Sequence, residues 1–158
     1  MSTNETLRKT LLKTLNDELR NNSSATIMFH QSIATKLGLN PTDHKCLEVI
    51  LKNQTITAGE LAEITGLTTG TITGVINRLE GAGYAFRDHD PQDKRRVIIS
   101  VNQEKAEKEI APLFNSFGEE IHQILSQYTV DELQLILGFI KNSNQILLEM
   151  IESFSKTN

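Results

Sequence analysis

Small and hydrogen-bonding residues recur at helical spacing between positions 70 and 79. On a helical wheel one side of this segment would hold four apolar residues, Ile72, Val75, Ile76 and Leu79. The opposite side and its flanks would hold Gly70, Thr71, Thr73, Gly74, Asn77 and Arg78. Glycines allow close approach to another surface, an asparagine amide can pair with adenine, and an arginine guanidinium can pair with guanine or phosphate. The pattern favours a helix that lies against a groove of DNA.

Three consecutive cations, Lys94, Arg95 and Arg96, follow a run of turn-forming residues. Alternating strand-like patterns at 84–87 and 96–101 bracket this polar segment and predict a β-hairpin. Long cationic side chains at its tip can reach phosphates or a narrow minor groove. The alternative interpretation is a solvated loop with no partner.

Charge is distributed unevenly along this chain, whose net charge is −4. Residues 69–101 hold five basic and four acidic residues, whereas the remainder holds 11 basic and 16 acidic ones. The net charge argues against a protein that coats nucleic acid by bulk charge, but the local balance permits one nucleic-acid-binding segment.

Two short helices and a tight connection are predicted to position these residues. Asn40, before a proline, caps a helix that runs to about residue 52. Thr57 and Glu60 have the spacing of a capping box for the next helix, which ends near Gly66. Thr68 can cap the helix that follows. Together with the hairpin, these elements predict a winged helix-turn-helix.

Amphipathic helices are predicted on both sides of this segment. Apolar residues in steps of three and four predict helix over 7–37, although the poor helix formers at 20–24 leave one long helix and two kinked helices both open. A long helix follows Gln103, and Pro112 either kinks it or sets its start. Thr129 opens a last helix with a second capping box.

The chain resembles the MarR (multiple antibiotic resistance regulator) family of transcription factors. The resemblance rests on Glu60-Leu61-Ala62, on T-x-x-x-x-R-L from Thr73 to Leu79, on Gly83-Tyr84 followed by Arg87, and on the run from Asp90 to Val97. Members often have Leu-Thr and then Gly after the wing, whereas this chain has Val101-Asn102 and then Ala106. That departure affects the junction between strand and helix and leaves the predicted DNA contacts untouched.

The resemblance implies a mainly α fold with a small β-hairpin wing, in an obligate homodimer with interlocked terminal helices. The expected regions are an N-terminal dimerisation region at 1–38, a DNA-binding region at 40–101 and C-terminal dimerisation helices at 102–158. The recognition helix would run from Thr69 to Gly81, with Thr69 among its DNA contacts. Arg95 would enter the minor groove and Asp93 would orient the basic residues. Two winged helices would then bind an inverted-repeat, double-stranded operator, with half-sites about 10 bp apart.

A repressor of this kind is expected to respond to a small-molecule effector. Position and chemistry suggest Phe29, His30, Cys46 and Phe114 as pocket residues. Cys46 is the only cysteine and lies beside apolar residues, so it is expected in the core, with oxidant sensing as the alternative. The four histidines lack metal-ligand spacing, so we expect no metal, although His30, His44 and His122 could meet Cys46 at a subunit interface.

Other classes of protein receive little support from the sequence. No catalytic or phosphate-binding motif occurs, so neither an enzyme nor a cofactor is expected. No signal peptide or apolar run of about 18 residues occurs, which favours a cytoplasmic protein without a membrane partner. The rival hypotheses are a winged-helix module that docks protein without sequence-specific DNA binding, and an architectural DNA binder without a ligand.

Overall fold

The computed structural model describes residues 3–155 of the chain, so the outermost ends of the predicted regions, 1–2 and 156–158, lie outside it. The described chain forms two compact units, divided between Leu113 and Phe114. The first holds the helix-turn-helix and the hairpin. The second holds most of a long helix and the last helix.

The elements match the predicted order. The α-helices are α1 (Thr3–Lys36), α2 (Pro41–Asn53), α3 (Ala58–Thr65), α4 (Thr69–Gly81), α5 (Gln103–Lys105), α6 (Ala111–Leu125) and α7 (Val130–Ser155). The strands are β1 (Thr55–Ile56), β2 (Ala85–His89) and β3 (Val97–Val101). In the described residues, no helix is long and apolar enough to cross a membrane.

Helix α1 is one continuous helix through the weak segment 20–24, which settles the alternative left open by the sequence. Its polar side chains bond back to the preceding turn. Thr26 Oγ1 donates to the Asn22 carbonyl at 2.8 Å, and Asn16 Nδ2 donates to the Leu12 carbonyl at 2.9 Å. These bonds satisfy the polar side chains on either side of the weak segment within the helix itself.

The predicted helix caps are confirmed. Asn40 Oδ1 accepts from the Asp43 N–H at 2.8 Å at the start of α2, and Thr57 and Glu60 form both bonds of the capping box of α3. Gly66 ends α3 in the left-handed region, at φ 69°. Thr68 Oγ1 then accepts from the Thr71 N–H at 3.2 Å and begins α4. Local side-chain chemistry thus sets each boundary of the helix-turn-helix.

The sheet has three antiparallel strands in the order β1-β3-β2. The hairpin pairs Ala85 with Val101 and His89 with Val97, so β2 lies one to two residues beyond the predicted strand. Strand β1 is an addition that the sequence analysis missed, since two residues are too few to show an alternating pattern. It pairs Thr55 with Ser100 and joins α2 to the wing.

The core of the first unit lies between α2, α3, α4 and β3. Its most deeply buried side chains are Cys46, Leu47, Ile50, Leu61, Ile72, Val75, Ile76, Leu79 and Ile99. The predicted inward stripe of α4 is therefore confirmed. Cys46 is 0% exposed and burial raises the pKa of its thiol, as expected of a core residue.

The helical stretch after the wing begins at Gln103 and contains a π-helical turn, Ala106–Ile110, directly before α6. The Ala111 N–H donates to the Ala106 carbonyl, five residues back. Pro112 therefore does not set the start of the stretch, and the widened turn lies where the proline ring and missing N–H would disturb a regular helix. The second capping box is confirmed, because Thr129 N–H donates to Glu132 Oε2 at 2.8 Å.

We predict that Gly66→Ala lowers the free energy of unfolding by about 1 kcal/mol, because a left-handed residue with a Cβ is strained. Gly70→Ala is the matched control, since the space beside Gly70 is open and its backbone is helical. Denaturant unfolding at one fixed protein concentration compares the two. Equal effects of both substitutions would contradict the assigned role of Gly66.

Candidate nucleic-acid interface

One side of α4 is anchored in the core and the other faces outward. Ile72, Val75 and Leu79 are each 0% exposed, which fixes the rotation of the helix. Gly70, Thr73 and Asn77 are exposed. The predicted division of the helix into buried and outward residues is therefore what the structure shows.

The first turn of α4 holds its hydroxyl groups in place. Thr71 Oγ1 lies 2.9 Å from the capping Thr68 Oγ1, and Thr73 Oγ1 donates to the Thr69 carbonyl at 2.9 Å. Each hydroxyl is thus oriented by its own helix. Gly70 leaves open space beside them, which allows close approach of another surface.

Arg78 is fixed to α2 by a bidentate ion pair. Its Nε and Nη2 donate to the two carboxylate oxygens of Asp43 at 2.8 and 2.7 Å, and Asp43 is only 2% exposed. These hydrogen bonds raise the pKa of Arg78, so it stays charged. The sequence analysis offered Arg78 as a contact to guanine or phosphate, and the structure gives it Asp43 of α2 as a partner.

Gly74 leaves room for this ion pair. A Cβ at position 74 would lie 3.2 Å from Arg78 Nη1, closer than ordinary van der Waals contact. Gly74 was predicted to permit approach to DNA. The structure adds a second reason for a glycine, because the guanidinium passes beside it towards Asp43.

Arg87 joins α4 to β2. Its Nη2 donates to Asn77 Oδ1 at 2.8 Å, its backbone N–H donates to Glu80 Oε1 at 2.8 Å, and its guanidinium forms an ion pair with Glu80. Sequence reasoning gave Arg87 and Glu80 no role. If Asn77 is to pair with adenine through both atoms of its amide, the hydrogen bond between its Oδ1 and Arg87 must first break.

The tip of the wing presents Lys94 and Arg95 as exposed side chains. Asp93 Oδ1 accepts from the Arg95 N–H at 3.0 Å, and the Asp93 carbonyl accepts from the Arg96 N–H at 2.8 Å. Asp93 therefore shapes the backbone from which the cations project. Both cations lie where the sequence predicted them.

Arg96 is paired with carboxylates of its own chain. Its Nη2 donates to Glu60 Oε1 at 2.8 Å, and its Nη1 lies 3.6 Å from Asp90 Oδ2. Glu60 also belongs to the capping box of α3, whose bonds from Thr57 are the main cause of its lowered pKa, with Arg96 contributing further. Arg96 thus ties the wing to α3, and its predicted contact with DNA stays a prediction.

The suggested effector residues are only partly brought together. The rings of Phe29 and His30 meet edge to face at 5.8 Å, and His30 lines a cleft of about 230 Å³ between α1 and α2. Cys46 is buried in the core. Phe114 belongs to the second unit, where it lines a groove of about 520 Å³ that also contacts His122.

The sequence analysis considered that His30 and His44 could meet at a subunit interface, but it missed that they meet within one chain, together with Glu48. His30 Nδ1 lies 2.9 Å from Glu48 Oε1, and the His30 and His44 rings lie 5.7 Å apart. Burial is the main cause of the lowered pKa of His44. The spacing of His44 and Glu48, four residues apart on α2, was a signal that could have identified part of the cluster.

Comparison with known proteins gives consistent matches. The sequence model of the MarR family matches residues 37–96. YcgE, an HTH-type transcriptional regulator of Bacillus subtilis (strain 168), is 40% identical over 145 residues, which are 92% of this chain and 94% of that protein.

Solved structures share the fold. A MarR family protein from Bacillus stearothermophilus superposes with a TM-score of 0.67 at 20% identity, covering 89% of this chain and 97% of the other. A mutant of S. aureus MepR bound to an oligodeoxyribonucleotide superposes with a TM-score of 0.52 at 18% identity, with 89% and 97% covered.

We predict that Glu60→Gln costs stability at neutral pH and that this cost shrinks as the solution is acidified. The pKa of Glu60 lies below its ordinary value of 4.5 in the folded chain, so its contribution is complete above the unfolded pKa and is lost as pH falls through the folded pKa. Denaturant unfolding of both proteins across this pH range measures the difference.

Glu132→Gln is the matched control for this prediction, because Glu132 has a capping box and its lowered pKa is attributed to Thr129. At about 1 M salt the Arg96 contribution to Glu60 is screened, whereas short-range capping bonds persist. The Glu60 effect should therefore weaken more than the Glu132 effect. A Glu60 effect that is independent of both pH and salt would refute the assignment.

Proposed function

The chain belongs to the MarR family of transcriptional regulators, and from that premise we propose that it is a homodimeric repressor of a palindromic operator that responds to an effector. Residues 40–101 form the DNA-binding region in this proposal. The segments 1–38 and 102–158 supply the dimerisation helices. The family accounts for the absence of catalytic motifs, since its members regulate transcription.

The observation that carries the proposal is the outward side of α4 beside an exposed, cationic hairpin tip. A helix of 13 residues is about 20 Å long and about 10 Å wide, dimensions that the major groove accepts. Gly70 and Thr73 would then approach base edges, while Lys94 and Arg95 reach the phosphates and minor groove beside them.

The ion pairs divide the arginines into two groups. Arg78, Arg87 and Arg96 hold α4 and the wing in position through carboxylates of the same unit. We therefore assign direct contact chiefly to Lys94 and Arg95, and positioning to the three paired arginines. Because these pairs fix α4 relative to the wing, α4 can enter the major groove while the wing reaches the adjacent minor groove.

A second copy of the chain is the partner that the exposed apolar faces require. In the first unit Leu7, Leu11 and Leu15 of α1 are 57%, 53% and 59% exposed. In the second unit Leu147 and Phe154 of α7 are 58% and 65% exposed. Contiguous apolar faces of this kind mark protein interfaces, and a two-fold dimer matches an inverted repeat.

The cleft beside His30 is the proposed effector site. His44 lines this cleft and directly follows Asp43, which holds Arg78 on α4. An effector that binds one arrangement of α1 and α2 more tightly would alter the position of α4 relative to its partner copy. The effector can release repression only as far as its affinities for the DNA-bound and the released arrangement differ.

We predict that Arg95→Ala weakens binding to a pool of random duplex DNA about tenfold at low salt, and lowers the salt slope of the affinity by about one. Fluorescence anisotropy over a series of salt concentrations measures both. Lys13→Ala, which removes an exposed cation from α1, is the control and should bind as the parent does. An Arg95→Ala protein with unaltered affinity and slope would refute the wing contact.

We predict that Leu147→Glu converts the dimer into a monomer of 17.7 kDa, because a carboxylate would be buried in an apolar interface. Light scattering coupled to size exclusion reports the mass. Gln145→Glu introduces the same side chain on the opposite, polar side of α7, among Lys141 and Glu149, and should leave the mass at twice the monomer. A parent protein that is already monomeric would overturn the dimer proposal.

A further inference from the structure

We propose that His30, His44 and Glu48 bind a divalent transition-metal cation such as Zn²⁺, and that this cation is the effector of the regulator. The second part deepens the proposed function and rests on it. The first part concerns the protein alone and stands independently of DNA binding.

The geometry of the cluster suits a metal ion. The three side chains each offer one ligand atom, and these atoms lie within 4.8 Å of one another. Ligands of tetrahedral zinc at about 2.0–2.1 Å lie about 3.3 Å apart, so small side-chain rotations bring the cluster to that spacing. Two ligands come from α2 and one from α1, so a bound ion would fasten the two helices together.

The ligand types narrow the class of cation. Two imidazoles and one carboxylate suit zinc, cobalt, nickel or copper, whereas magnesium and calcium prefer sets of oxygen ligands. Three protein ligands leave the fourth position of a tetrahedral ion for water. The cluster therefore fits an exchangeable, sensed ion better than a closed structural site.

The Glu48 carboxylate already faces the His30 imidazole. Glu48 Oε1 faces His30 Nδ1 at 2.9 Å, while Glu48 Oε2 faces Lys45 Nζ at 3.5 Å. The Lys45 side chain is 71% exposed, so it can move into solvent when an ion takes the carboxylate. An ion bound here would take the Glu48 oxygen that now faces His30, and metal binding releases any proton that its ligands carry.

The position of the cluster lets an ion reach it from solvent and links it to the DNA-binding helix α4. All three residues line the cleft of about 230 Å³ between α1 and α2, which gives an ion a path from solvent. His44 is 3% exposed and is the neighbour in sequence of Asp43. A metal that holds His44 therefore acts one residue from the ion pair that positions Arg78.

The site is tested by titrating Zn²⁺ into the chelator-treated full chain against a chromogenic chelator. Co²⁺, read by its visible absorption, serves as a second probe of tetrahedral coordination. We expect one ion per chain, and at least a tenfold loss of affinity in His30→Gln and in Glu48→Gln, whose side chains are partly exposed. His89→Gln removes a histidine from the exposed wing and is the matched control.

Zn²⁺ should also raise the unfolding temperature of the parent and of His89→Gln, but not that of Glu48→Gln. No stoichiometric binding, or equal binding by the cluster variants and the control, would overturn the site.

The effector role is tested by anisotropy with duplex DNA, with and without Zn²⁺. An affinity that changes in the parent and not in Glu48→Gln supports it.

The two parts of the proposal fail in different ways. A parent that binds Zn²⁺ through the cluster and binds DNA equally with and without it refutes the effector role alone. A parent that binds Zn²⁺ and binds no DNA in either state refutes the proposed function as well, while the metal site stands.

Discussion

The buried carboxylate of Asp43 is the constraint around which the helix-turn-helix is organised. An ionised carboxylate placed in a protein interior loses several kcal/mol of hydration unless it is paired and hydrogen-bonded. Here Arg78 supplies two hydrogen bonds and the Asn40 amide a third, at 2.7 Å. The same carboxylate therefore stabilises the start of α2 and fixes the position of α4 against it. Gly74 has no Cβ to crowd the Arg78 guanidinium.

Paired charges also explain how an acidic chain can present a cationic edge. Glu80 and Glu60 lie close to the proposed DNA surface, yet each is paired with an arginine that it positions. These acids fix the geometry of α4, the wing and α3 relative to one another. Lys94 and Arg95 are the two cations left to contact DNA in this proposal. Asp93 holds the backbone that carries them, and Arg96 holds the wing against α3.

The features that the sequence predicts well are those decided by neighbouring residues. Capping by Asn40, Thr57 and Thr68 depends on a partner three residues away, and the α4 stripe depends on one helical period. The partners of Arg78 and Arg96 lie 35 and 36 residues away, so no local pattern reveals them. The His30–Glu48 contact was missed for the same reason, since it forms only when α1 packs on α2. The predicted DNA contacts themselves stay predictions.

The central claim is that α4 and the wing of two copies read a symmetric DNA site. Its most direct test is selection from random duplex DNA by the purified full chain at about 0.15 M salt, with chelator-treated and Zn²⁺-loaded protein in parallel. The account predicts enrichment, in one of these states, of an inverted repeat whose half-sites lie about 10 bp apart. No enrichment in either state, or enrichment of an unrepeated site, would contradict it.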